Sequence, residues 1–401
     1  MSAGIRTRPP TLQTGVGIAT RAVDEVVRGR TTIVVADRRV SASRIGPSDA
    51  AARIILDPGS IDDGAIIGLA RSIRDLMPDV LVAVGGGTVI DAVKIAALAA
   101  GGGRLLEYVI EHTRHSALTF VPTRASGVEL VAVATTPGTS AESNAVAVLR
   151  NARGHRLVVG SPLRPDHAVL DGRLFLTLPE SAIREGCLEA LLRVAGASTG
   201  GRGGALARSH AIQLGCALVR SGDEPLGSAA RRLRVARLSA ATQRTAALRG
   251  RDPYAARHWY VANEVAFHLG VRKMSATAPL MSGVWARIAA GDTRWGDRAS
   301  LQGFWDPIAR QGRLPRSPSA GIAALLERWR IERPQRPSRE TLDRIAEAAE
   351  QSWGRPSRIL QGLGAHDIRA LLQHADWAPR PPSSSRPGNP SGRDSKEREG
   401  G

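Results

Sequence analysis

Three consecutive glycines, Gly85-Gly86-Gly87, stand between an apolar run ending at Val84 and a helix-periodic stretch through Ile90, Val93 and Ala97. The pattern predicts a buried strand, a turn free of side chains and a helix whose N-terminus faces that turn. Backbone N–H groups of such a turn can approach a phosphate closely, and the helix dipole favours the anion there. Thr88, Asp91 and Lys94 continue the segment. Further along, Val133 to Glu142 reads Val-Ala-Thr-Thr-Pro-Gly-Thr-Ser-Ala-Glu, with the hydroxyls of Thr135, Thr136, Thr139 and Ser140 around Pro137-Gly138. Hydroxyls and free amides at a tight turn suit phosphate, ribose or amide hydrogen bonds, although a plain polar turn would use the same residues.

In this order and spacing the two segments resemble the iron-containing (group III) alcohol dehydrogenase family. That family carries Gly-Gly-Gly-Ser-x-x-Asp-x-x-Lys and, later, Thr-Thr-x-Gly-Thr-x-x-Glu. Here the first runs from Gly85 to Lys94 with Thr88 for the serine, and the second from Thr135 to Glu142. Leu163 to Asp171 and Leu176-Thr-Leu-Pro179 are similar to the family's passage into its second domain. The resemblance covers residues 12–200 and thins afterwards. It implies that Gly85, Gly86, Gly87 and Thr88 hold the pyrophosphate of a nicotinamide dinucleotide. It also implies that Asp91 and Lys94 shape the cofactor cleft, and that Thr135, Thr136 and Thr139 line the adenosine and nicotinamide portions. Asp37, at the end of Val-Val-Ala-Asp, is placed to accept hydrogen bonds from the adenosine ribose. That favours NAD by repelling a 2′-phosphate; Arg38 and Arg39 beside it keep NADP as the alternative.

At the metal the resemblance breaks. The family holds one divalent ion, usually iron, through an Asp, a His four residues later on the same helix face, and two further histidines. The corresponding positions here are Glu189, Arg193, Asn263 and Thr277, with Phe267 where the family has another histidine. Arginine has no lone pair for a cation and stays charged. A substitute set of Glu189, Glu264 and His268 is conceivable on helical spacing, but a divalent metal is not expected.

The resulting expectation is a metal-free, NAD-dependent oxidoreductase that converts a hydroxyl to a carbonyl. His268 is the candidate base, with Tyr260, His258 or Lys273 as substitutes, and Arg193 would clamp a substrate carboxylate by a bidentate pair. Oxidation of a 3-hydroxy acid gives a 3-oxo acid, which readily loses carbon dioxide. The chain thereby also resembles the daptide-type dehydrogenases of ribosomal-peptide maturation, which act on a C-terminal threonine. A small-molecule or peptide substrate is expected, with other biosynthetic enzymes as partners and a homodimer as one expected assembly. The competing reading is a catalytically inactive nucleotide-binding scaffold or partner protein. Dehydroquinate synthases are a weaker superfamily match, because zinc-binding histidines are lacking.

Strands and helices must alternate to place these loops. Thr31–Ala36, Ala51–Leu56 and Val80–Val84 read as strands and Asp62–Leu76 as a helix, which predicts an α/β, Rossmann-like domain with a parallel sheet covered on both faces. After Pro179 the composition turns to Ala, Leu, Arg and Glu, predicting an all-helical domain and, with the resemblance, the dehydroquinate synthase-like fold of iron alcohol dehydrogenases. Its expected helices are 182–197, 205–220, 227–248, 259–270, 321–331 and 339–352. The expected organisation is a mobile 1–11, a dinucleotide-binding domain over 12–179, a helical substrate domain over 180–377 and a disordered, Pro- and Ser-rich tail over 378–401.

The formal charge of +18 invites a nucleic-acid partner. Yet lysine occurs only at 94, 273 and 396, the arginines are scattered rather than striped, and aromatics make up 3% of the chain, leaving few stacking platforms. Codon usage of a GC-rich genome accounts for the arginines, so nucleic acid is not the expected partner. No apolar run is long enough to span a membrane, and the N-terminus lacks a secretion signal. Cys187 and Cys216 form no disulfide framework, which fits a reducing cytoplasm.

Overall fold

The computed structural model describes residues 9–101, 103–124, 127–354, 357 and 359–379. Its first half begins with strands and α-helices in alternation and ends in five successive strands: β1 (Thr11–Gly15), α1 (Ala19–Val27), β2 (Thr32–Asp37), β3 (Ala52–Leu56), α2 (Asp63–Leu76), β4 (Val80–Gly85), α3 (Gly87–Ala96), α4 (Leu105–His115), β5 (Leu118–Phe120), β6 (Glu129–Ala134), β7 (Val146–Asn151), β8 (Gly154–Val159) and β9 (His167–Asp171). Six of these strands form a wholly parallel sheet in the order β1-β9-β6-β4-β2-β3. Burial on both faces explains why β2, β4 and β6 read as continuous apolar runs rather than alternating ones. Ile33, Val35, Leu81 and Ala83 face the main core with α2 and α3, while Val34, Val82 and Val84 face α1. A separate sheet, β5-β8-β7, contains the antiparallel hairpin β7–β8.

The second half is helical: α5 (Glu180–Ser198), α6 (Ala205–Asp223), α7 (Ala229–Arg244), α8 (His258–Leu269), α9 (Lys273–Ala289), α10 (Arg298–Gly312), α11 (Pro318–Arg328), α12 (Arg339–Trp353) and α13 (Ala365–Gln373). Asp62 caps α2 by accepting the Ala65 amide at 2.9 Å, and Ser228 caps α7 through the Arg231 amide. Helix α5 is buried along most of its length, and α9 is buried over its first half, so polar side chains on either must find partners inside the protein.

Some elements differ from the sequence expectation. The first strand is Thr11–Gly15 rather than Thr31–Ala36; five residues with a glycine end carry little periodic signal. Its edge position is held from the helical half, where Arg237 Nε donates to Thr14 Oγ1 at 2.9 Å and Arg244 to the Pro10 carbonyl at 2.7 Å. Helices α9 and α10 each contain an interior proline, Pro279 and Pro307, which argues against a helix when read locally. Packing outweighs that cost: Trp285 of α9 and Trp305 of α10, both buried, meet edge to face at 5.2 Å. At the expected tail, the Ala378 amide still donates to the Pro334 carbonyl. The remainder of that tail, and residues 1–8 of the expected mobile N-terminus, lie outside the described residues. Among the described residues no helix is long and apolar enough to cross a membrane.

Candidate active site

Strands β4 and β6 are neighbours, so their carboxyl ends bring the two sequence segments together. The Thr135 amide donates to the Gly85 carbonyl at 3.0 Å. Gly86 is the extended N-cap of α3 and has no side chain to cap the helix, leaving first-turn amides open to a ligand. The turn is bare out of necessity. A β-carbon on Gly86 would stand 3.0 Å from Thr136 Oγ1, and one on Gly87 would collide with Thr139. A flat, amide-lined shelf walled by two threonines is what a pyrophosphate needs, so these residues fit a dinucleotide. Thr88 is exposed beside it. Asp37, at the carboxyl end of adjacent β2, accepts the Arg39 amide at 2.9 Å through Oδ1, which leaves Oδ2 for a ribose. The ten proposed cofactor residues therefore sit at the ends of β2 and β4, on α3 and its N-cap, or in the turn after β6.

Asp91 and Lys94 face inward from α3 and tie it to the next hairpin. The Lys94 ammonium, wholly buried, donates to Asn144 Oδ1 and the Val146 carbonyl, both at 2.9 Å, and lies 3.5 Å from Asp91 Oδ1. Asp91 Oδ2 accepts the Val148 amide at 3.0 Å, and Asn144 Nδ2 donates to the Thr139 carbonyl. Burial pushes the Asp91 carboxyl up and the Lys94 ammonium down, each opposed by the other's charge. This pair fixes α3, β7 and the 139–144 turn as one body.

The helical half holds the hydroxyl-rich turn from the other side. Gly138, at φ 114°, adopts a backbone conformation that a side chain would strain, and it lies against α5. Arg193 of α5 donates to the Gly138 carbonyl, to Thr242 Oγ1 at 2.7 Å and to Ser140 Oγ at 3.4 Å. Ser239 of α7 donates to the same carbonyl at 3.0 Å and meets Ser140 Oγ at 2.8 Å. Arg193 thus commits both Nη1 donors and one Nη2 donor to the turn and to Thr242 of α7. Burial lowers the Arg193 guanidinium's hold on its proton, while the charges of Glu189 and Glu142 oppose the shift.

One helical turn before Arg193, Glu189 is buried with Oε1 at 3.5 Å from the Lys273 ammonium, which begins α9 and stacks over Trp259 of α8 at 4.4 Å. Glu142, Arg193, Glu189 and Lys273, with Asp91 and Lys94, make an alternation of three carboxylates and three cations in the cleft region. Glu142 is buried, which raises its carboxyl against the pull of Lys94 and Arg193.

These residues do not fit the family's ion. Arg193 presents a guanidinium, the Thr277 hydroxyl donates to the Lys273 carbonyl at 2.7 Å, and Asn263 offers a buried amide whose backbone carbonyl meets His155 Nδ1 at 3.4 Å. The substitute set does not assemble either. Glu189 pairs with Lys273, Glu264 accepts the Trp353 indole N–H at 2.8 Å, and His268 is exposed near the charge of Arg344. Among the described residues no three His, Cys, Asp or Glu side chains are placed to hold a metal.

Of the proposed bases, Lys273 keeps a partly exposed ammonium beside Glu189 and Trp259, and its charge acts on Asp91 of α3. His268 sits at the far end of α8, and its imidazole is lowered by desolvation and Arg344. Tyr260 is buried against Trp353 with its hydroxyl pushed far up. His258 is buried, its Nε2 has no hydrogen-bond partner among the described residues, and burial with the nearby Lys273 charge pushes it down to about 3. Sequence reading missed His155 on β8, half-buried edge to face with Phe267 at 5.9 Å and within reach of the Lys273 charge. No sequence motif marks it; the β7–β8 hairpin alone brings it to α8.

Against this geometry, residues 10–172 match the family model "Iron-containing alcohol dehydrogenase". This segment belongs to the iron-containing alcohol dehydrogenase family. The phosphonoacetaldehyde reductase of Streptomyces viridochromogenes is 35% identical over 147 residues, which is 36% of this chain and 37% of the reductase. The match thus spans little more than a third of that relative's length. The fold likeness extends much further. The NADH-dependent butanol dehydrogenase A of Thermotoga maritima superposes over 94% of this chain and 99% of its own with a TM-score of 0.75 at 15% identity. The sulfoacetaldehyde reductase of Bifidobacterium kashiwanohense, solved with NAD+, covers 92% and 97% with a TM-score of 0.68 at 16% identity. The iron-alcohol-dehydrogenase fold is therefore retained through the helical half, where the sequence likeness fades.

Proposed function

We propose that this chain is an NAD-linked oxidoreductase that interconverts a hydroxyl and a carbonyl without a bound metal. Its substrate is a 3-hydroxy acid such as the C-terminal threonine of a peptide, whose 3-oxo acid product loses carbon dioxide. The observation that carries the reading is the meeting of Gly86 and Gly87 with Thr136 and Thr139 at the carboxyl end of the parallel sheet. When bound there, a nicotinamide dinucleotide supplies the hydride donor or acceptor. Gly86, Gly87 and the first turn of α3 bind its pyrophosphate, Asp37 orients the ribose and disfavours a 2′-phosphate, and the Asp91–Lys94 pair keeps the shelf rigid. Two relatives are named for aldehydes that carry an anionic group, phosphonoacetaldehyde and sulfoacetaldehyde, which suits a carboxylate-bearing substrate. Metal independence rests on the chemistry of Arg193, Asn263 and Thr277. Two free cysteines and a peptide substrate suit a reducing cytoplasm, beside other tailoring enzymes.

The test is a fluorescence titration of the purified protein with NADH and NADPH, metal analysis, and incubation of a threonine-ended peptide with NAD+. The expected results are saturable binding with NADH preferred, no stoichiometric metal, and a peptide that has lost two hydrogens and carbon dioxide as NADH forms. Absence of binding to both nucleotides ends the reading, and stoichiometric iron or zinc ends its metal-free form.

A further inference from the structure

Where the family's ion ligands fall, this chain offers one carboxylate facing one ammonium. Glu189 is held in place on both sides, with Oε2 close against Gly138 and Oε1 at 3.5 Å from Lys273 Nζ. The other positions are committed: Arg193 to the 138–140 turn and Thr277 to the backbone of α9. Lys273 differs from them in being open, for its side chain is 39% exposed while that of Glu189 is 10% exposed. An ammonium carries three N–H donors. Glu189 takes one through a long contact and the Trp259 face engages another side, leaving donor capacity on the exposed side of the ammonium. The position is central as well as open, because the Lys273 charge acts on Asp91 at the cofactor helix, on His155 of the hairpin and on His258 of α8.

We propose that Lys273 is the catalytic residue that receives the substrate oxygen, its ammonium donating a hydrogen bond to that oxygen in the role an ion plays elsewhere in the fold. This rests on the oxidoreductase reading above. As a hydroxyl becomes a carbonyl, the C–H electron pair leaves as hydride for the nicotinamide and the O–H proton leaves to solvent past the half-exposed lysine. Negative charge grows on the oxygen in between, and a fixed ammonium in a partly desolvated cleft stabilises it. Lys273 keeps its own proton throughout, so atoms and charge balance as alcohol plus NAD+ giving carbonyl, NADH and a proton. Glu189 and Trp259 position the ammonium; neither needs to touch the substrate.

The test uses isobutyramide, whose carbonyl oxygen accepts the same hydrogen bond but whose carbon takes no hydride. Calorimetric titration of the NADH-loaded full chain with this amide is compared between the wild type and Lys273→Met. The expected result is unchanged NADH affinity and an amide affinity lower in the variant by about ten- to a hundredfold, the range for a charge-assisted hydrogen bond. Lys273→Gln, which keeps a donor without the charge, serves if the methionine variant does not fold, and its expected loss is in the same direction. Added ethylammonium is further expected to restore turnover of the threonine-ended peptide in Lys273→Ala, where ethanol at equal concentration does not. A wild-type protein that binds no NADH overturns both readings. An NADH complex that binds no amide, or binds it equally with and without the lysine, overturns the role of Lys273 alone.

Discussion

Gly87 and Thr139 approach so closely that a β-carbon on residue 87 would stand 2.8 Å from the threonine Cγ2 and 2.9 Å from its Oγ1. Both atoms branch from one β-carbon, so rotation about χ1 that moves one away brings the other round. The contact joins two loops far apart in sequence, beside the N-terminus of α3, which has no side-chain cap.

Gly87→Ala is therefore expected to push the two loops apart and weaken NADH binding by at least tenfold. Thermal stability should fall only modestly, by about 1–3 kcal/mol, the usual cost of an overpacked contact. A nicotinamide fluorescence titration beside a denaturant melt checks this; unchanged NADH affinity in the folded variant would falsify the assignment of the shelf.

Lys94 and Asp91 are expected to behave as a single unit. Lys94→Met leaves a buried carboxylate without its cation, and Asp91→Asn leaves a buried ammonium with reduced compensation. Each single change should cost about 3–5 kcal/mol, whereas the double change should cost clearly less than their sum. Urea unfolding of the two single variants and the double variant measures the coupling, and strict additivity would show that the two charges do not act together.

His258 should make the protein acid-sensitive. Burial and the Lys273 charge push its imidazole from 6.5 down to about 3, so the folded state keeps it neutral where the unfolded chain takes up a proton. Its contribution to stability is fully present above pH 6.5 and is lost as pH falls through the window from 6.5 to about 3. The slope is about 1.4 kcal/mol per pH unit within that window. Stability measured against pH for the wild type and His258→Phe isolates this part, because the buried carboxyls are common to both. Parallel curves from about pH 7 to about pH 4 would show that His258 is not the source.

The α/β half was legible because its signals are local. A strand buried on both faces reads as an apolar run, a tight strand-to-helix turn reads as bare glycines, and Asp37 closes a strand. The adjacency of β4 and β6, which the sequence did not order, brings Gly86, Gly87, Thr136 and Thr139 together. At particular places in both halves the signal weakened for identifiable reasons. Pro279 and Pro307 mask two helices, β1 is short, and no pattern in 146–159 marks the hairpin that carries His155 toward α8.

Residue types alone carry the proposals for the cofactor side of the cleft and for a site without the family's four metal ligands, since chemistry dictates whether a side chain can bind phosphate or donate a lone pair. How the remaining charges are used depends on the packed molecule. Spacing on α5 presents Arg193 and Glu189 as equals, yet the first is consumed by the carbonyl of Gly138 while the second meets Lys273. Spacing on α8 offers His268 as a base, yet the helix turns it out toward Arg344. A charged side chain acts according to the partners that desolvate and neutralise it, and those partners arrive from other helices, far away along the chain.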